Sequence, residues 1–152
     1  MVERRMIVPP GMETIVERFR YAPGVLVGDT LYVSGQVGRD ESMTVVEDRE
    51  AQFDQCFRNV KKVLDAAGFA FADIVELETW FLDFPADLAL FMQVKDRWIT
   101  GPVYPTWTGF GVSSFSMPGI LCEVKVTADM QVSVGGKVER RSTSFGELFL
   151  IA

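Results

Sequence analysis

Histidine is absent from all 152 residues, so any chemistry in this chain is done without it. That removes the Ser-His-Asp and Cys-His nucleophile arrangements and every histidine metal site. Proton transfer is left to Glu, Asp, Tyr, Lys, Cys or water. Cys56 and Cys122 are far apart and form no C-x-x-C pair, which excludes a zinc ribbon and a thioredoxin-type dithiol. Each sits in an apolar stripe, and both read as inert core thiols rather than nucleophiles. Glu76 with Glu78 and Asp83 with Asp87 invite a paired-carboxylate reading, but solvated strand edges and helix caps explain them better. Glu123 is a stronger candidate. The alternation of Cys122, Val124, Val126 and Ala128 against Glu123, Lys125 and Thr127 puts its carboxylate on the polar face of a strand. There it can activate a water, or it can pair with a neighbouring Lys or Arg. No P-loop or G-x-G-x-x-G is present, since Gly109-Phe110-Gly111 is too short and follows no strand-to-helix turn. Neither a metal nor a cofactor is expected.

The elements that must position these residues follow from periodicity. Residues 23–27 and 30–37 are short β-prone runs joined by Gly28-Asp29, a two-residue loop suited to a type II′ hairpin. The second run alternates Thr30, Tyr32, Ser34 and Gln36 against Leu31, Val33 and Val37, and residues 43–46 could add a short strand. Phe53, Cys56, Phe57, Val60, Leu64 and Ala67 recur at helical spacing, with Gly68 as the stop signal. Residues 74–82 read as a strand with Val75, Leu77 and Phe81 on one face and Glu76, Glu78 and Trp80 on the other. A second helix starts at Asp83-Phe84-Pro85, with a buried stripe of Leu88, Phe91, Met92 and Trp98. Strands at 106–113 and 120–130 complete a β-β-(β)-α-β-α-β-β order, an α+β domain with helices on one face of the sheet.

Composition agrees with one globular domain. Lys and Arg number 15 against 21 Asp and Glu, for a net charge of −6, and 48% of residues are apolar. Nucleic acid is an unfavourable partner for so acidic a chain, because phosphate binding draws its affinity from clustered cations. The basic residues here are scattered, apart from Lys137, Arg140 and Arg141. No apolar run approaches about 18 residues, so no membrane span is expected. The charged start and the early Pro9-Pro10-Gly11 provide no signal-peptide core, and two cysteines suit a reducing compartment, so a cytoplasmic location is the default. The single domain is assigned to residues 1–130 and a C-terminal extension to 131–152. That extension either pairs with a sheet edge or is disordered. The polar sheet face carries Tyr32, Ser34, Glu76, Trp80, Glu123 and Lys125. It is either solvated or, as the aromatics beside paired charges favour, a subunit interface.

Several segments together resemble one family. They are Arg20-Tyr21-Ala22-Pro23, Val27-Gly28-Asp29-Thr30-Leu31-Tyr32-Val33-Ser34-Gly35-Gln36-Val37-Gly38, the helix from Glu50 to Gly68, Tyr104-Pro105-Thr106-Trp107-Thr108 and Cys122-Glu123-Val124-Lys125-Val126-Thr127-Ala128. In this order, over residues 20–130, they are similar to the RidA (YjgF-type) family. The opening Met-Val-Glu-Arg, the Val94-Lys95 pair and the Tyr-Pro-x-Trp-Thr run look closest to its YjgH-like subgroup. The resemblance implies a chorismate-mutase-like fold, a homotrimer with a central barrel, small-molecule clefts between subunits, and hydrolytic deamination of reactive imines and enamines. It also implies a site: Glu123 as the catalytic carboxylate, with Tyr21, Ser34 and Gly35 contacting substrate.

One departure matters chemically. The family's imine deaminases carry an arginine where this chain has Trp107. An arginine fork binds a carboxylate through two charge-assisted hydrogen bonds, whereas indole offers one N–H and no charge. Loss of such an anchor costs about 2–5 kcal/mol. Weakened 2-aminoacrylate activity is therefore expected, with Trp107 either stacking on a flat ligand or plugging the pocket. The alternative reading is a non-catalytic metabolite-binding protein of the same fold. A weaker one is the ribonuclease or translation-inhibition activity that older family names invoke.

Overall fold

The computed structural model describes residues 2–130 together with the backbones of residues 133–134 and 137–138. The apolar stretch at 145–151 lies outside the described residues. A six-stranded mixed sheet is built from β1 (Arg4–Ile7), β2 (Gly24–Val27), β3 (Thr30–Val37), β4 (Ile74–Phe81), β5 (Thr106–Gly111) and β6 (Cys122–Asp129). The order across it is β1-β2-β3-β6-β4-β5, antiparallel throughout except for the parallel β4–β5 pair. The helices are α1 (Glu13–Phe19), α2 (Arg49–Ala67) and α3 (Phe84–Trp98). A two-residue hairpin pair, β7 (Ser133–Val134) and β8 (Lys137–Val138), forms a separate small sheet. Among the described residues no helix is long and apolar enough to cross a membrane.

Local chemistry sets the element ends. Asp48 caps α2 by accepting from the Ala51 N–H at 2.8 Å, and Gly68 closes it in the left-handed conformation at φ 78°. Asp83 caps α3, with proline in the first turn where its missing N–H leaves no carbonyl unpaired. Gly28, at φ 61°, takes the positive angle that the first position of a type II′ turn requires. The two long helices cover one sheet face. Phe53, Phe57, Val60 and Leu64 of α2 and Phe91 and Val94 of α3 are fully buried against Leu31, Val33, Leu77, Phe81, Val124 and Val126. Phe91 sits in the middle of this layer, with ring centroids 4.8 Å from Phe81 and 5.7 Å from Phe53 and Phe57.

Strict alternation misplaces several side chains. Between Val33 and Gln36, β3 advances three residues while its partner β6 advances from Val126 to Val124, so one extra residue is inserted. This bulge inverts the pleat: Gln36 turns into the helix side at 6% exposure, and Val37, expected inward, turns out. A second irregularity between Ile74 and Glu76 leaves Val75 exposed instead of buried. On α3 the buried stripe is Asp87, Phe91 and Val94, with Met92 exposed. Asp87 is no solvated cap, for its carboxylate is fully buried and accepts a hydrogen bond from the Arg49 guanidinium. Residues 43–46 form no strand and contribute one bridge, Arg39 to Val45. Two elements have no signal in the sequence reading. Strand β1 begins on two exposed arginines, and α1 is seven residues long without a side-chain cap.

Candidate functional site

The β3 bulge is where the candidate residues meet. A Cβ placed on Gly35 would lie 1.7 Å from Glu123 Oε1 and 2.6 Å from its Cδ, so the carboxylate rests directly on the glycine backbone. Gly35 does not adopt a positive φ, so space rather than backbone conformation demands a glycine here. Glu123 stands opposite Val37 on β3 and Trp80 on β4, on the face away from the helices. Among the described residues its carboxylate accepts no hydrogen bond, which leaves its lone pairs available to a water or a ligand. Burial pushes the Glu123 carboxyl above its ordinary value, and the positive charge of Arg39 pulls it partway back.

Ser34 ties this site to the segment that carries Tyr21. Its hydroxyl donates to the Ala22 carbonyl at 2.7 Å, and its N–H donates to the Pro23 carbonyl at 2.9 Å. The Ser34 proton is thus engaged within the fold, which leaves the hydroxyl only acceptor lone pairs to offer. Tyr21 follows Arg20, which closes α1 at φ 55°, and is 40% exposed, leaving its ring free to contact a ligand or a second subunit. Gln36 donates to the Ser34 carbonyl at 2.9 Å and so holds the bulge from the helix side.

Two polar residues inside the apolar face of α2 fix the loops around the site, and the sequence reading missed both. Gln52, fully buried, donates to the carbonyls of Val46 (2.7 Å) and Gly119 (2.9 Å) and accepts from the Leu121 N–H (2.7 Å). Asn59 donates to the carbonyls of Val37 (3.0 Å) and Arg39 (2.9 Å). One helix thereby clamps the loop leaving β3 and the loop entering β6. Their i, i+7 spacing within an otherwise apolar stripe was the available signal. Arg39, also missed, begins the loop after β3, and its guanidinium donates to the Met117 thioether at 3.8 Å.

Trp107 lies elsewhere. It is in register with Leu77, on the helix-facing side of β5, and its indole N–H donates to the buried Thr79 hydroxyl at 2.9 Å. Its ring packs 6.0 Å from Phe91, and the Lys95 ammonium sits 5.3 Å above it. Ser34, Gly35 and Glu123 are therefore brought together within one chain, whereas the Trp107 indole is turned to the opposite sheet face. Cys56 and Cys122 are both buried. Burial above all, then the adjoining Cys56 thiol, pushes the Cys122 thiol well above its ordinary value, away from the reactive thiolate. Among the described residues no group of His, Cys, Asp or Glu could hold a metal ion.

A mixed six-stranded sheet with helices on one face and a carboxylate seated on a strand bulge defines the class. Residues 13–130 match the family described as Endoribonuclease L-PSP, and the chain belongs to that family, the RidA/YjgF proteins. Within it the chain is 36% identical over 128 residues to the RutC family protein YjgH of Escherichia coli (strain K12), covering 84% of this chain and 96% of that one. A solved structure of protein YJGH matches with a TM-score of 0.77 at 35% identity, over 84% of this chain and 97% of the other. A 2-iminobutanoate/2-iminopropanoate deaminase of Dermatophagoides farinae is 40% identical over 73 residues, 43% of this chain and 56% of its own.

Proposed function

We propose that the protein hydrolyses small imines or enamines to an oxo compound and ammonia, in a cleft completed by a neighbouring subunit. The observation that carries this reading is the Glu123 carboxylate, half-buried, without a hydrogen-bond donor among the described residues, and held on the Gly35 backbone. A carboxylate whose pKa is raised by burial is a better general base than a solvated one. Glu123 takes a proton from water as the water oxygen bonds to the C=N carbon, and it hands that proton to the nitrogen, which leaves a neutral carbinolamine and a free carboxylate. The carbinolamine collapses when its hydroxyl proton passes to Glu123 and from there to the same nitrogen. C–N cleavage then releases ammonia and leaves C=O. Atoms balance as imine plus water giving carbonyl plus ammonia. The deaminase among the relatives supports this reaction class.

The outer sheet face supports an oligomeric assembly. Tyr32 is 51% exposed, Trp80 stacks on Phe110 at 6.1 Å, and Lys125 pairs with Glu78 at 2.5 Å, a mixture suited to a subunit interface. A homotrimer of three 17.0 kDa chains is the assembly proposed, and light scattering on the eluting peak tests it. Because position 107 supplies no arginine fork, turnover of 2-aminoacrylate is proposed to be weaker than in arginine-bearing relatives. Purified protein is to be assayed for ammonia release from small imines generated in situ, beside Glu123→Gln. Turnover that disappears in Glu123→Gln supports the reaction. A well-folded protein that turns over no imine at all overturns it in favour of a non-catalytic ligand-binding protein.

A further inference from the structure

Resting on that reading of Glu123, we propose that Gln36 is a positioning residue of the site. It stands in for a backbone donor that Pro23 cannot supply, and so fixes the Ser34–Gly35 peptide on which the Glu123 carboxylate rests. The register creates the need for it. One step beyond the Gly24↔Val33 pair of β2 and β3, Pro23 stands opposite Ser34, and the Ser34 N–H donates to the Pro23 carbonyl at 2.9 Å. In an antiparallel pair of this kind the two residues exchange both bonds. Proline has no N–H, so the return bond to the Ser34 carbonyl cannot form.

Gln36 closes that gap. The bulge turns its side chain to the helix face, where it is buried, and its amide Nε2 reaches back to the Ser34 carbonyl at 2.9 Å. On the other flank, among the described residues, the register gives neither Ser34 nor Gly35 a partner on β6, since the pairing passes from Val33↔Val126 to Gln36↔Val124. Glycine has the widest backbone freedom of any residue, so a peptide that no ladder residue opposes needs an anchor of another kind here. The Ser34 carbonyl and the Gly35 N–H belong to one planar peptide unit, and holding the first holds the second. Gly35 in turn seats the carboxylate, for a Cβ on it would stand 1.7 Å from Glu123 Oε1. Gln36 thus acts from the opposite face of the sheet, through this peptide and not on the reacting atoms.

The test supplies the missing donor by another route. Pro23→Ala gives position 23 an N–H able to make the return bond to the Ser34 carbonyl. Gln36→Met keeps the length of the side chain and removes its donor, and a small cavity lined by Met12, Ile15 and Asn59 adjoins it. Wild type, each single variant and the double variant, all as the full chain, are assayed for ammonia release from imines generated in situ. Exchange of the Gly35 amide is followed by NMR on the same proteins. Gln36→Met should lose about tenfold or more in kcat with KM within about twofold, because displacing a reacting group by about 1 Å costs on the order of 100-fold. Its Gly35 amide should exchange about tenfold faster or more, as the peptide loses its anchor. With Pro23→Ala already present, both effects of Gln36→Met should shrink to within about twofold. Wild-type turnover in Gln36→Met overturns the proposal, as does a loss of the same size with and without Pro23→Ala, which would mark Gln36 as packing alone. Should Gln36→Met not fold, the double variant decides: fold and turnover regained uphold the proposal, and their absence overturns it. If wild type turns over no imine, the hydrolase reading falls by itself, and the Gly35 exchange rates still decide whether Gln36 holds the peptide.

Discussion

Gly35→Ala isolates the contact on which the site depends. The added Cβ would stand 1.7 Å from Glu123 Oε1, whereas ordinary contacts begin near 3.4 Å, so the carboxylate oxygen must retreat by about 1.7 Å. The Cδ at 2.6 Å and Cγ at 3.0 Å are also inside that limit, so the whole side chain has to change rotamer. Stability should hardly suffer. What moves is the far end of a half-buried, unbonded side chain, and alanine in place of glycine stiffens the unfolded chain by about 0.4–1 kcal/mol in compensation. Catalysis should suffer strongly, because a displacement of about 1 Å in a reacting group costs on the order of 100-fold in rate. The assay pairs ammonia release from imines with urea unfolding on the same preparation. The expected result is a midpoint close to wild type together with a kcat reduced 100-fold or more. A variant with full turnover would show that the position of Glu123 over Gly35 is irrelevant to the chemistry. A variant that unfolds instead would show that the contact is structural.

Four further substitutions have definite expected outcomes. Burial raises the Glu123 carboxyl in the folded state, so its stabilising contribution is present below the unfolded value near 4.5 and is lost as pH rises through the folded value. Glu123→Gln should therefore gain stability relative to wild type between pH 4 and pH 7 in urea titrations, and a gain that shrinks with pH would contradict this. Trp107→Phe removes the donor to the buried Thr79 hydroxyl and should cost about 1–3 kcal/mol in the same measurement. Trp107→Arg should destabilise further by setting a second cation beneath Lys95, without raising 2-aminoacrylate turnover. Gln52→Leu removes the partner of two carbonyls and one N–H in part-buried hydrogen bonds and should cost about 1–3 kcal/mol while depressing kcat. Normal turnover in a folded Gln52→Leu protein would refute its role in holding the loops.

Much of the scaffold was legible because it depends on local signals. The 3.6-residue repeat from Phe53 to Ala67, the Gly68 stop, the Gly28-Asp29 turn and the alternation of β6 all appear where periodicity and turn chemistry put them. The single bulge in β3 escaped period-two counting, since one inserted residue exchanges the faces of all that follow it. Strand β1 was invisible for a different reason: its arginines stand in water and only Ile7, at its end, reaches the core, so no alternation marks it.

The candidate site divides along the same line. The sequence by itself determined which reactive groups exist: no histidine, two cysteines in apolar stripes, a glutamate on a polar strand face, and a tryptophan at position 107. Those are properties of residue type and near spacing, and they carry over to any fold that respects the pattern. Only the tertiary structure decided which groups meet. Gly35 and Glu123 are 88 positions apart and touch because β3 and β6 are hydrogen-bonded neighbours across an irregular register. Trp107 parts from them because its position on β5 points it at the helices, where Thr79, Phe91 and Lys95 hold it. Arg39 bears on Glu123 through its charge alone, from a loop clamped by Gln52 and Asn59. Contacts between residues distant in sequence are set by strand pairing and by the packing of α2, and neither is encoded in any local window of the chain.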